Sequence, residues 1–236
     1  MGFRGGDIQA NVRRARRGVA ASLALLALHV SPASAAGRRD IVLVGDSTVY
    51  GTAQSSTQDR YQPGAVLELL LRKPEPTTSP WRRARVTNLG VASSTTQHWL
   101  QTPPPGCGSL LEYYLVPSRA CVDGSAWVDE ILRIRPTADL VVLQLGLNDY
   151  LVTSDPAETA DRLEQIRARL PVPVLIFPPV APNAWSAALR AELVARGIEI
   201  PADYPATLPT FDQLHPTHGG YAAMAGLWLD RILKQP

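Results

Sequence analysis

Short, fully apolar runs alternate with amphipathic stretches along this chain, and no other property of it restricts the fold so much. Asp40 to Gly45 (DIVLVG) is apolar at every central position and ends in glycine, the pattern of a strand buried on both faces. Arg85 to Val91 (RVTNLGV) reads as a second strand, Asp139 to Gly146 (DLVVLQLG) as the strongest strand in the chain and Val172 to Phe177 (VPVLIF) as another buried one, and Ile198 to Ile200 reads as a short last strand. Between them the apolar period lengthens to that of a helix. Val66, Leu67, Leu70 and Leu71 mark one helix within Gln62 to Lys73. Others are expected over Ser125 to Arg135, stopped by Pro136, from Asp155-Pro156 to about Leu170, over Asn183 to Arg196, ended by Gly197, and over Thr217 to Lys234. Asp155 is placed to cap its helix and Pro156 to occupy the first turn. Strand–helix alternation implies crossover connections and a parallel sheet covered on both faces. The expected architecture is a three-layer α/β/α sandwich with a mainly parallel five-stranded sheet.

The first 36 residues belong to a different argument. Arg13, Arg14, Arg16 and Arg17 precede an apolar run from Val19 to Val30, and Ala33-Ser34-Ala35 follows as a small-x-small cleavage pattern. The run is short of the about 20 residues that cross a bilayer core. Residues 1–36 therefore read as an export signal, with residues 37–236 as the working domain, no stable membrane anchor after cleavage, and a periplasmic or secreted destination. Five of the 23 basic residues and one of the 21 acidic ones lie in residues 1–36, so the remainder holds 18 basic and 20 acidic residues, a net charge of −2. The basic character of the whole chain thus comes from the signal, and a nucleic-acid partner, which needs a basic face, is not expected. Cys107 and Cys121 lie in one proline-rich stretch of the exported part. A disulfide between them would staple an insertion at about 97–124, set either beside the site as a cap or on the surface.

In parallel α/β folds the working residues follow the carboxyl ends of strands. Asp46-Ser47 follows the first strand, Gly90 ends the second, and Asn148-Asp149 follows the third. Ser47, exposed by a tight turn, is a candidate nucleophile. Three histidines lie beyond the signal: His98 in a polar loop beside Trp99, and His215 and His218 near the last helix. His215 stands three residues after Asp212, close enough for the carboxylate to hold its imidazole in the tautomer a general base needs. The backbone N–H groups of Ser47 and Gly90 and the side-chain amide of Asn148 are candidate donors to a developing oxyanion. Asp212, His215 and His218 can instead be read as a D-x-x-H-x-x-H metal set.

Taken together, Gly45-Asp46-Ser47, Asn88-Leu89-Gly90, Gly146-Leu147-Asn148-Asp149 and Asp212-Gln213-Leu214-His215 resemble the four sequence blocks of the SGNH hydrolase superfamily, the GDSL-like esterases and lipases, in the family's order. The resemblance spans residues 40 to about 232. It implies the flavodoxin-like SGNH fold and a Ser47–His215–Asp212 triad. It also implies an oxyanion hole from Ser47, Gly90 and Asn148, with no metal and no cofactor. Asp46 and Asp149 would brace loops rather than react. Thr48 stands where GDSL enzymes often carry leucine, and Leu147 occupies a variable position where a bulky group could narrow the pocket. The implied substrates are small-molecule or carbohydrate esters, with short acyl chains favoured by the lack of a basic patch or a long apolar flap. An acyltransferase, a lysophospholipase or thioesterase on the same scaffold, and a non-catalytic exported carbohydrate-binding protein are the other readings. The sequence does not specify an oligomeric state.

Overall fold

The computed structural model describes residues 38–52, 62–73, 79–101, 126–201 and 203–236. The expected signal, both cysteines and nearly all of the 97–124 insertion lie outside the described residues. Four strands, β1 (Asp40–Gly45), β2 (Arg85–Gly90), β3 (Leu140–Gln144) and β4 (Val174–Phe177), form one sheet in the order β2-β1-β3-β4, and every pairing is parallel. Successive residues of a strand face opposite sides, so β1 feeds two cores. Ile41 and Leu43 pack with Leu67 and Leu71 of helix α2 (Pro63–Leu71) and with Met224, Trp228 and Ile232 of α7 (His218–Leu233). Val42 and Val44 face the other layer. That layer is made by α3 (Thr96–Leu100), α4 (Trp127–Ile134), α5 (Pro156–Arg169) and α6 (Ala184–Ala195). Each large aliphatic side chain withdrawn from water in these layers contributes roughly 1.5–3 kcal/mol, which is why the sheet needs helices on both sides.

The expected helix boundaries agree with the structure to within a residue or two, and Asp155 does cap α5, accepting from Ala157 N–H at 2.9 Å. The fifth strand is corrected: Ile198–Ile200 pairs with no strand among the described residues. Its backbone is used elsewhere. Ile198 N–H closes the end of α6 on Leu193 O at 3.0 Å, the Glu199 carbonyl accepts from Arg231, and Pro201 has no N–H to extend a ladder. Three residues with those commitments cannot add an edge to β4. His98 is also corrected, from a polar loop to the helix α3. Thr95 caps that helix, and the His98 ring accepts from Thr95 N–H at 3.1 Å.

The strand order puts the topological switch between β1 and β3, because the chain leaves β1 for β2 on one side and returns to β3 on the other. Ligand sites in open α/β sheets form at such a switch, beyond the carboxyl ends of the strands.

Candidate active site

Ser47 is the first residue of a one-turn helix, α1 (Ser47–Tyr50), that begins directly beyond β1. Asp46 caps that turn, accepting from Thr48 N–H at 2.9 Å and from the Thr48 hydroxyl at 2.8 Å. The threonine found where leucine is usual in GDSL enzymes thus adds a second bond to the cap. At the first position of a helix the N–H has no intrahelical acceptor, so Ser47 carries an unspent donor beside its own hydroxyl.

His215 comes from the loop before α7. An antiparallel bridge between Thr210 and Pro216 and a bond from Phe211 N–H to the His215 carbonyl close that loop. Within it, Asp212 accepts from the N–H groups of Leu214 (3.0 Å) and His215 (2.6 Å), and Gln213 turns through φ 70° to make this possible. The other carboxylate oxygen lies 2.5 Å from His215 Nδ1, and His215 Nε2 lies 3.0 Å from Ser47 Oγ. With Nδ1–H donating to Asp212, Nε2 keeps a lone pair for the serine hydroxyl. The Phe211 ring stacks on the imidazole at 5.9 Å, restricting its rotation. Partial burial pushes the Asp212 carboxyl up, but the bonds from His215 and Leu214 outweigh it and hold the group below the ordinary value of 3.8.

Asn148 opens the short turn after β3 (Asn148–Leu151). Its amide donates to the Ser94 carbonyl at 3.0 Å and retains a second N–H. The adjoining Asp149 is fully buried and accepts from the N–H and hydroxyl of Thr96, tying this turn to α3. Leu147 is 2% exposed and so belongs to the core wall behind Asn148.

Gly90 ends β2 as expected, but its N–H donates to the Asn88 side chain at 2.9 Å. The structure supplies another reason for glycine there. A Cβ would sit 2.2 Å from the Tyr50 backbone nitrogen, so only glycine lets β2 close against α1. A donor that sequence reasoning missed lies three residues on. Ser94 N–H bonds to Val91 O at 3.1 Å, closing a turn that holds Ser93 at φ 63°. Ser93 N–H has no hydrogen-bond partner among the described residues, and the Asn148 amide rests on the next residue's carbonyl. Glycine or asparagine is the usual occupant of such a left-handed position, and serine there left no signal to read.

The arrangement offers an oriented base against a hydroxyl, with candidate N–H donors at Ser47, Ser93 and Asn148 in the loops that follow β1, β2 and β3. That is the equipment for acyl transfer. Comparison with known proteins agrees. The sequence model described as GDSL-like Lipase/Acylhydrolase matches residues 41–171. A lipolytic protein of the G-D-S-L family from Veillonella parvula superposes with a TM-score of 0.53 at 15% identity, over 84% of this chain and 100% of that one. An acetylxylan esterase from Geobacillus stearothermophilus (TM-score 0.48, 14% identity, 84% and 95% covered) and a carbohydrate esterase family 3 protein from Talaromyces cellulolyticus (0.49, 15%, 83% and 97%) are also similar. A search of curated proteins returns no match.

Proposed function

Since the chain belongs to the GDSL-like lipase/acylhydrolase family of ester-cleaving serine hydrolases, we propose that it hydrolyses a short-chain carboxylic ester through an acyl-enzyme on Ser47. The observation that carries this reading is the continuous relay Ser47 Oγ–His215 Nε2–His215 Nδ1–Asp212, at 3.0 and 2.5 Å. Ser47 attacks the ester carbonyl while His215 takes its proton. Negative charge gathers on the former carbonyl oxygen, where the Ser47 N–H and the Asn148 amide stabilise it. Ser93 N–H completes the hole more readily than Gly90 N–H, which is committed to Asn88. The tetrahedral intermediate collapses, the alkoxide leaves with the proton from His215, and the acyl group stays on Ser47. Water, deprotonated by His215, then attacks the acyl-enzyme and releases the acid. Asp212 holds the imidazole in its working tautomer and balances the positive charge it acquires.

The basic, apolar and small-residue succession of residues 1–36 supports export of this hydrolase to the periplasm or medium. For the substrate we favour a small-molecule or carbohydrate ester with an acetyl or similarly short acyl group, since the exported part has a net charge of −2 and so does not attract anionic lipid. Tyr150, two residues past Asn148 and 46% exposed, offers a ring on which a sugar can stack. A second reading draws on the same turn: Leu151 and Val152, 67% and 50% exposed, would suit a longer acyl chain, as in a lysophospholipase or thioesterase. Hydrolysis of p-nitrophenyl esters of increasing chain length, run beside acetylated polysaccharides, separates the two. Highest kcat/KM at two to four carbons supports the short-chain reading, and an optimum at eight or more overturns it.

A further inference from the structure

We propose that Trp185 is a positioning residue for the reaction, holding the peptide that aims Asn148. The inference rests on Asn148 acting as an oxyanion donor. Trp185 lies in the first turn of α6, and its indole N–H donates to the Gly146 carbonyl at 2.8 Å. The other polar group of that same peptide unit, the Leu147 N–H, donates to Asp46 at 3.3 Å. The Gly146–Leu147 peptide plane, one peptide before the one that enters Asn148, is therefore held at both polar ends by side chains from two different elements, and its carbonyl also accepts from Asp149 N–H at 3.4 Å. One of the two pins is the residue preceding the nucleophile.

The plane needs pinning. Gly146 sits at φ 110°, a conformation that favours glycine, so on that side the next peptide meets little steric resistance to rotation, while Leu147, at φ −62°, resists a full flip on the other. Smaller rotations of this plane would weaken the bonds at both of its polar ends and shift the chain that leads into Asn148. The Trp185 ring is half-buried and its N–H is directed at this carbonyl, so the indole is matched to Gly146 rather than merely packed beside it. Asp46 couples the plane to Ser47, and Trp185 couples it to the body of α6. The nucleophile and the oxyanion amide are thereby referred to one rigid frame, which is what transition-state stabilisation by fixed donors requires.

The test is a double-mutant cycle on p-nitrophenyl acetate hydrolysis with the full exported domain, comparing wild type, Trp185→Phe, Asn148→Ala and the double variant. Phenylalanine keeps a ring and removes the donor. The expected result is a fall in kcat of about 5- to 20-fold with KM within about twofold, in keeping with one lost hydrogen bond acting through the transition state. In the Asn148→Ala background the same change should cost less than about twofold, because the group it positions is gone. Trp185→His, which retains a ring N–H, should recover part of the rate. If Trp185→Phe does not fold, Trp185→Tyr supplies the same cycle. An equal loss in both backgrounds, or an unchanged kcat in folded Trp185→Phe, overturns the proposal alone. An unchanged kcat in Asn148→Ala overturns the oxyanion reading, and the proposal with it.

Discussion

Two carboxylates near Ser47, the proposed nucleophile, sit under opposite conditions. Asp212 has a side chain 39% exposed, touches His215 and sits below its ordinary pKa. Asp46 is 1% exposed, and burial pushes it up to about 6, against the pull of the Thr48 N–H and hydroxyl and the Leu147 N–H. The contrast separates chemistry from scaffolding. Asp212, which the proposed mechanism sets against an imidazolium, is kept ionised by its bonds from His215 and Leu214 and by its exposure to solvent. A group that ties loops together is buried where it reaches donors on two strand ends, although burial disfavours its charge.

Substitutions can sharpen that contrast, and the largest effect is expected at the relay itself. His215→Ala should lower kcat by about 10⁴-fold or more, with melting temperature little changed, since the relay loop adds no strand to the sheet. Asp212→Asn should cost about 10³–10⁴-fold by allowing the wrong tautomer, again with small thermal effect. Asn148→Ala should cost about 10²–10³-fold, most of it in kcat. Asp46→Asn removes the acceptor of the Leu147 N–H and so should lower kcat by about as much as Trp185→Phe, about 5- to 20-fold, with its more distinctive effect on stability. The folded pKa of Asp46 exceeds the unfolded one, so folding takes up a proton between about pH 4 and pH 6. The contribution of Asp46 thus favours the fold at the acid end and is lost as pH rises through about 6. Chemical denaturation across this window should show wild type losing on the order of 3 kcal/mol relative to Asp46→Asn as pH rises. For Asp212, whose folded pKa is depressed, the sign reverses: its contribution is present above about pH 4 and fades below it. A stability difference between wild type and Asp46→Asn that stays flat across the window would erase the distinction between the two carboxylates.

The features readable from sequence are those set by local pattern. β1 announces itself by six residues buried without interruption, and Ser47 is conspicuous because it follows directly on that run and its capping aspartate. Asp212 and His215 are legible as a pair because His215 stands three positions after Asp212 and one turn closes the gap. What escaped depends on contacts across the chain. Trp185 and Gly146 are 39 residues apart, and nothing near Trp185 says that its N–H will meet a carbonyl beyond β3. Gly90 drew attention as a glycine near a strand end, yet the Tyr50 backbone beneath it explains its lack of a side chain, and the left-handed residue of the loop is Ser93. Ile198–Ile200 is apolar enough for a strand, but the end of α6 and Arg231 had already engaged its backbone.

The central claim is that Ser47 supplies the attacking atom, and covalent labelling addresses it most directly. Folded protein treated with a fluorophosphonate should take up one equivalent, located on Ser47 by peptide mass spectrometry, and Ser47→Ala should take up none. Absence of labelling in the folded wild type, or undiminished labelling in Ser47→Ala, would contradict the account.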